Sequence, residues 1–96
     1  MKLRFDPAAV NEAVEAALYY DGQQPGLGRK FDDAFEAGLQ SILESPQRWP
    51  RLGKTARRYL LKRFPYGIVY TATKREVMVH AVTHLRRRPG YWSERL

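Results

Sequence analysis

Residues 66–84 read Tyr-Gly-Ile-Val-Tyr-Thr-Ala-Thr-Lys-Arg-Glu-Val-Met-Val-His-Ala-Val-Thr-His, and their pattern decides the fold. β-branched and aromatic residues dominate two runs, Tyr66 to Ala72 and Val77 to His84. The polar Thr73-Lys74-Arg75-Glu76 between them is short enough to make the runs an antiparallel pair. Alternation in the second run predicts Val77, Val79 and Ala81 on one face and Met78, His80 and Val82 on the other. Upstream, Arg57 to Phe64 is a third strand-like run, broken at Pro65. The three make an antiparallel meander. Pro46, Pro50 and Gly53 break residues 47–54 into a loop, in which Trp49 is expected to cap the edge of the core.

The first half of the chain is helical after a short strand. Leu3 and Phe5 alternate with Lys2, Arg4 and Asp6, the pattern of an edge strand. Asp6-Pro7 is a helix start, with Asp as N-cap and Pro at the first helical position. Val10, Ala13, Val14, Ala17 and Leu18 follow at helical spacing, which puts Glu12 and Glu15 on the wet side and Gly22 at the C-terminal stop. A tight link, Gln23 to Gly28, leads into a second helix from about Arg29 to Glu44. Its apolar stripe is Phe31, Phe35, Leu39, Ile42 and Leu43, with Ala34 and Gly38 on the side where the helices cross. Ser45-Pro46 ends it. The order is therefore β-α-α-β-β-β. It implies a single α+β domain over residues 1–96, in two layers, with a helical hairpin packed on a small twisted antiparallel sheet.

The 96 residues hold no cysteine, which excludes a disulfide framework, a thiolate metal site and a cysteine nucleophile. No run approaches the roughly 18 apolar residues of a membrane span, and the N-terminus lacks the apolar stretch of a signal peptide. The charge is +7 overall and very unevenly spread. Residues 1–47 carry four basic and eight acidic side chains, net −4; residues 48–96 carry thirteen and two, net +11. A surface of that kind meets something anionic.

Several segments resemble one known family. They are Ala16-Ala17-Leu18-Tyr19-Tyr20, Pro25-Gly26-Leu27-Gly28, Pro46-Gln47-Arg48-Trp49-Pro50, Arg63-Phe64-Pro65-Tyr66-Gly67-Ile68-Val69-Tyr70, and Ala81-Val82-Thr83-His84 leading to Arg87-Arg88-Pro89-Gly90-Tyr91-Trp92. Together with the element order they resemble the RelE/ParE superfamily, the toxins of type II toxin–antitoxin modules. The tail and the Tyr-Tyr…Pro-Gly-Leu-Gly pattern are closer to the ParE-like branch of plasmid stabilisation proteins. The resemblance implies a cytoplasmic, growth-inhibiting protein silenced by a cognate antitoxin. In ParE-like members the target is DNA gyrase; in RelE-like members it is mRNA in the ribosome. A non-toxic basic binding module is a third reading.

Metal-free RNA cleavage needs a base, cations for the phosphorane and an acid. Lys62, Arg63, Arg86, Arg87 and Arg88 supply cations, His84 is a candidate base or acid, and Tyr91 is able to stack or donate. By resemblance to the nuclease branch, Arg63, Arg86 and Tyr91 match in type and place, with His84 as proton carrier. The lysine pair and the glutamate base of such nucleases have no clear counterparts, Lys54 being a lone candidate. Under the protein-binding reading the contact set is Lys62, Arg63, Arg86, Arg87, Arg88, Tyr91 and Trp92. Trp92 is also expected to pin the tail to the body, and His80 to pack in the core or against a partner. Arg63, His84, Arg86 and Tyr91 are expected to form one patch at the C-terminal end of the sheet. An acidic, partly disordered antitoxin is expected to cover the arginines and to add a strand at residues 2–6 or 77–84. No metal or cofactor is expected: Pro25-Gly26-Leu27-Gly28 lacks the frame of a phosphate loop, and His80 and His84 are too far apart on a strand to share an ion.

Overall fold

A computed structural model describes residues 1–96. The elements are β1 (Lys2–Phe5), α1 (Pro7–Gln23), α2 (Leu27–Glu44), β2 (Arg51–Leu52), β3 (Ala56–Leu60), β4 (Tyr66–Ala72), β5 (Glu76–His84) and a 3-10 turn at Ser93–Arg95. The sheet order is β1-β5-β4-β3-β2. The α+β order and the helical layer agree with the sequence reading; the sheet does not fully. It is mixed, because β1 pairs with β5 in parallel. An N-terminal strand need not pair with its neighbour in sequence, and here the last strand, not the next one, covers it. The loop predicted at 47–54 also contains β2, which pairs with Arg57 and Ala56.

A bulge explains the largest error in side-chain placement. Val69 pairs with Ala81 but Tyr70 pairs with Val79, so His80 is an extra residue in β5. The extra residue reverses the alternation beyond it. Val77, Val79 and Val82 consequently join the main core, while Ala81 joins Ala56 and Val69 in a smaller cluster on the opposite face.

The main core lies between the sheet and the helices. Phe31 and Ile42 from α2 are fully buried with Ile68, Tyr70, Val77 and Val79. Tyr20, Phe31, Phe64 and Tyr66 form an aromatic cluster, with Tyr20 and Phe64 centroids 4.8 Å apart. Tyr70 satisfies its hydroxyl by donating to the Pro46 carbonyl at 2.6 Å. Trp49 caps the core edge, its ring 4.7 Å from Tyr59. Leu39 is buried and Phe35 half-buried.

The start of α1 follows the sequence reading: Asp6 accepts the Ala8 N–H at 2.8 Å, with Pro7 inside the helix. Its faces do not. Ala9 and Ala16 point inward, whereas Val10, Val14 and Leu18 are 45, 52 and 68% exposed. Tyr19 is also exposed. Gly22 does not stop the helix, which runs on to Gln23. Instead Asp21 organises the turn, its Oδ1 accepting the N–H groups of Gly26 at 3.0 Å and Gly28 at 3.3 Å at the exposed start of α2. Close helix approach occurs at Gly28, where a Cβ would lie 2.6 Å from the Ala17 carbonyl oxygen. Gly38, assigned that role from sequence, faces the sheet, against Tyr59, Leu61 and Ile68.

The two glycines of the hairpin should therefore respond oppositely to alanine. Gly28→Ala must push α1 and α2 apart at a backbone atom, and a loss of about 1–3 kcal/mol is expected in urea unfolding. Gly22→Ala meets nothing within 4 Å, so it should be neutral or stabilising by up to about 1 kcal/mol.

Candidate functional site

The site is organised where the outer edge of β5 runs out of partners. β1 pairs only with residues 76–79, and the Asp6 N–H donating to the Val79 carbonyl closes that pairing. The next exposed donor, the Val82 N–H, is met by a side chain: Glu12 of α1 accepts it at 3.0 Å. The same carboxylate accepts from Arg95 Nη1 at 2.9 Å and from the Tyr91 hydroxyl at 2.6 Å. Arg95 Nη1 also donates to the His80 carbonyl at 3.1 Å, and His80 Nδ1 lies 3.1 Å from the Arg95 carbonyl. A carbonyl only accepts, so Nδ1 carries the proton, and Nε2 takes the Thr71 hydroxyl at 2.8 Å. Glu12 thus clasps the C-terminal tail to α1 and β5, with 12% of its side chain exposed.

Electrostatics follow this geometry. Burial is the main reason the His80 pKa is lowered, which keeps the ring neutral. Burial, then the hydrogen bond to Glu12, raises the Tyr91 phenol. The bond to Glu12 raises Arg95. Arg87 adds a long ion pair to Glu12 at 3.9 Å and stacks its guanidinium over the Tyr91 ring, 4.1 Å from the centroid.

The predicted patch is divided. His84, Arg87 and Tyr91 gather near Glu12; His84 Nδ1 accepts the Arg86 backbone N–H at 3.0 Å, and its ring edge meets Tyr66 at 5.1 Å. Arg86 and Arg88 are exposed. Lys62 and Arg63 instead border a groove of about 310 Å³ against α2, with Lys30 and Asp33. Arg63 has φ 72°, a left-handed conformation that is strained for a residue with a Cβ. The Leu85 N–H, donating to the Pro65 carbonyl at 2.8 Å, ties that turn to the end of β5. Trp92 does pin the tail, packing on Ala56, Val69 and Ala81 across the sheet. The expected strand addition at 77–84 is blocked, because β5 lies between β1 and β4 and its remaining edge is taken by Glu12 and Arg95.

Sequence reasoning missed Glu12 and Arg95. The signal for Glu12 was present: it falls among Ala9, Ala13 and Ala16, which pack on the core. A carboxylate among small inward residues implies donors arriving from elsewhere in the fold.

The family model for the ParE toxin of type II toxin–antitoxin systems, parDE, matches residues 3–89. The chain belongs to the ParE toxin family. No curated protein matches it. Among solved structures, a chain of the chromosomal ParDE toxin–antitoxin system from P. aeruginosa is similar at 14% identity and TM-score 0.76, over 88% of this chain and 95% of that one. At that identity the likeness is one of fold. The ParE match ends before Tyr91, Trp92 and Arg95, so the clasped tail lies beyond the shared span.

Removing the clasp carboxylate strands several donors. Glu12→Ala should cost about 2–3 kcal/mol in urea unfolding and loosen the tail, read as faster amide exchange at Val82. The neutral His80 adds a pH dependence. Its folded pKa lies below the unfolded value, so its share of stability is complete above about pH 6.5 and is lost as pH falls below that toward the depressed folded value. Between pH 7.5 and 5, wild type should lose more stability than His80→Gln.

Proposed function

We propose that this chain is the toxin half of a type II module that arrests growth by binding a large protein target of gyrase type. It does no chemistry of its own, and a cognate, acidic antitoxin neutralises it. Family membership supports a toxin. The observation that carries the target-binding reading is how the proton-transfer candidates are used. Tyr91 donates to Glu12 with its phenol raised, and His84 Nδ1 is occupied by a backbone N–H. Of the two, only His84 Nε2 is left unpaired, and one ring nitrogen does not supply both the acid and the base that strand cleavage needs. Arg86 and Arg88, by contrast, reach solvent and suit contact with an acidic protein surface. No helix is long and apolar enough to cross a membrane. For the antitoxin, the outer edge of β1 is the sheet edge with room for an added strand.

Controlled expression with two readouts in the same cells tests this. A DNA damage response with intact mRNA is the expected result; cleavage of mRNA at codon boundaries overturns it in favour of the nuclease. Arg86→Ala with Arg88→Ala should abolish growth arrest, whereas folded His84→Gln should retain it.

A further inference from the structure

We infer that the sheet face opposite the helices carries a carboxylate pocket, built by Arg58, Arg88 and Trp92, that receives an acidic side chain of a protein partner. The cavity has a volume of about 100 Å³ and also touches Leu52 and Val69. Arg58 and Arg88 both border this small space with no ion pair inside the protein, an unfavourable arrangement without an anion, because like charges repel.

Adjacent arginines on β3 separate the structural role from the open one. Arg57 is locked, donating to the Trp49 carbonyl and to Gln47 Oε1, both at 2.8 Å. Arg58 points to the other face, which it shares with Ala56, and its guanidinium has no hydrogen bond or ion pair within the protein. Its stem is nevertheless held. It lies across Gly67 of β4, where a Cβ would come within 2.9 Å of Arg58 Cδ. A glycine in a central strand weakens the sheet unless a close approach requires it, and here the approaching group is this arginine. Arg88 likewise has no ion pair.

The pocket wall favours a peptide over a nucleic acid. Leu52 and Val69 suit the methylenes of a glutamate, with the arginines at its carboxylate. Trp92 is committed to the Ala56–Val69–Ala81 cluster, so its indole is not a free platform for stacking a base. The inference rests on the reading of this end as a protein-contact surface. It is tested in vitro, apart from growth arrest, so either is able to fail alone.

The probe is an acetylated hexaglutamate amide titrated into the full chain while the indole N–H of Trp92 is followed by NMR, assigned with Trp49→Phe. A saturable shift is expected, absent with hexaglutamine. Arg58→Gln and Arg88→Gln should each weaken binding about tenfold, the loss of one charge-assisted contact. Lys74→Gln removes the same charge from the far turn and should change it less than about twofold. The inference is overturned if the Trp92 signal does not move or if Lys74→Gln weakens binding as much as Arg58→Gln. Tighter binding of hexauridylate RNA at the same signal also overturns it. Circular dichroism confirms folding of each variant, and Arg58→Lys, which keeps the charge and stem, should recover part of the affinity.

Discussion

A carboxylate withdrawn from water must be surrounded by donors, and at Glu12 those donors come from three separate parts of the chain. The Val82 amide belongs to the sheet, while the Tyr91 hydroxyl and the Arg95 guanidinium belong to the tail. Because each unmet donor or acceptor there costs free energy, the three parts hold one another in place. The first helix is thereby fixed to the last strand, and the tail is drawn back along the edge that β1 leaves uncovered. Arg87, stacked on Tyr91, is held in the same arrangement, and the arginines on either side of it are displayed outward.

The bulge at His80 makes this arrangement possible. Without the extra residue, Ala81 would face the helices and Val82 the open face. With it, Val82 enters the core while its amide reaches Glu12, and the small Ala81 leaves a seat for Trp92. His80 itself is turned toward Thr71 and the tail carbonyl, where burial keeps it neutral.

Charge is sorted by layer as well as by sequence. Most acidic residues lie on the helical hairpin, and the arginines concentrate at the ends and outer face of the sheet. Concentration of like charge is tolerable where the guanidinium groups reach solvent or meet an acceptor, as Arg57 and Arg95 do. The apolar ridge of Val10, Val14 and Leu18 lies on the other side of the molecule, so its two surfaces differ in chemistry.

Periodicity and punctuation alone determined the element order, the caps at Asp6-Pro7, the inward stripe of α2 and the meander, because these depend on residues near one another in the chain. The family resemblance was legible in the same way, in local segments such as Arg63 to Tyr70. What depended on distant residues was not legible. A bulge is invisible to an alternation count, so the faces of β5 were inverted beyond His80. A helical projection cannot see a tail 79 residues away, the separation of Tyr91 from Glu12, so an organising carboxylate was read as wetted. Val10, Val14 and Leu18 were read as core because they are apolar at the right spacing, yet the sheet accepts only the small Ala9 and Ala16 at that crossing. The candidate site divided for the same reason: Arg63 and Tyr91 share a type of chemistry, but whether two side chains share a surface is decided by which backbone edges are left to satisfy, and that is settled only when the chain is packed.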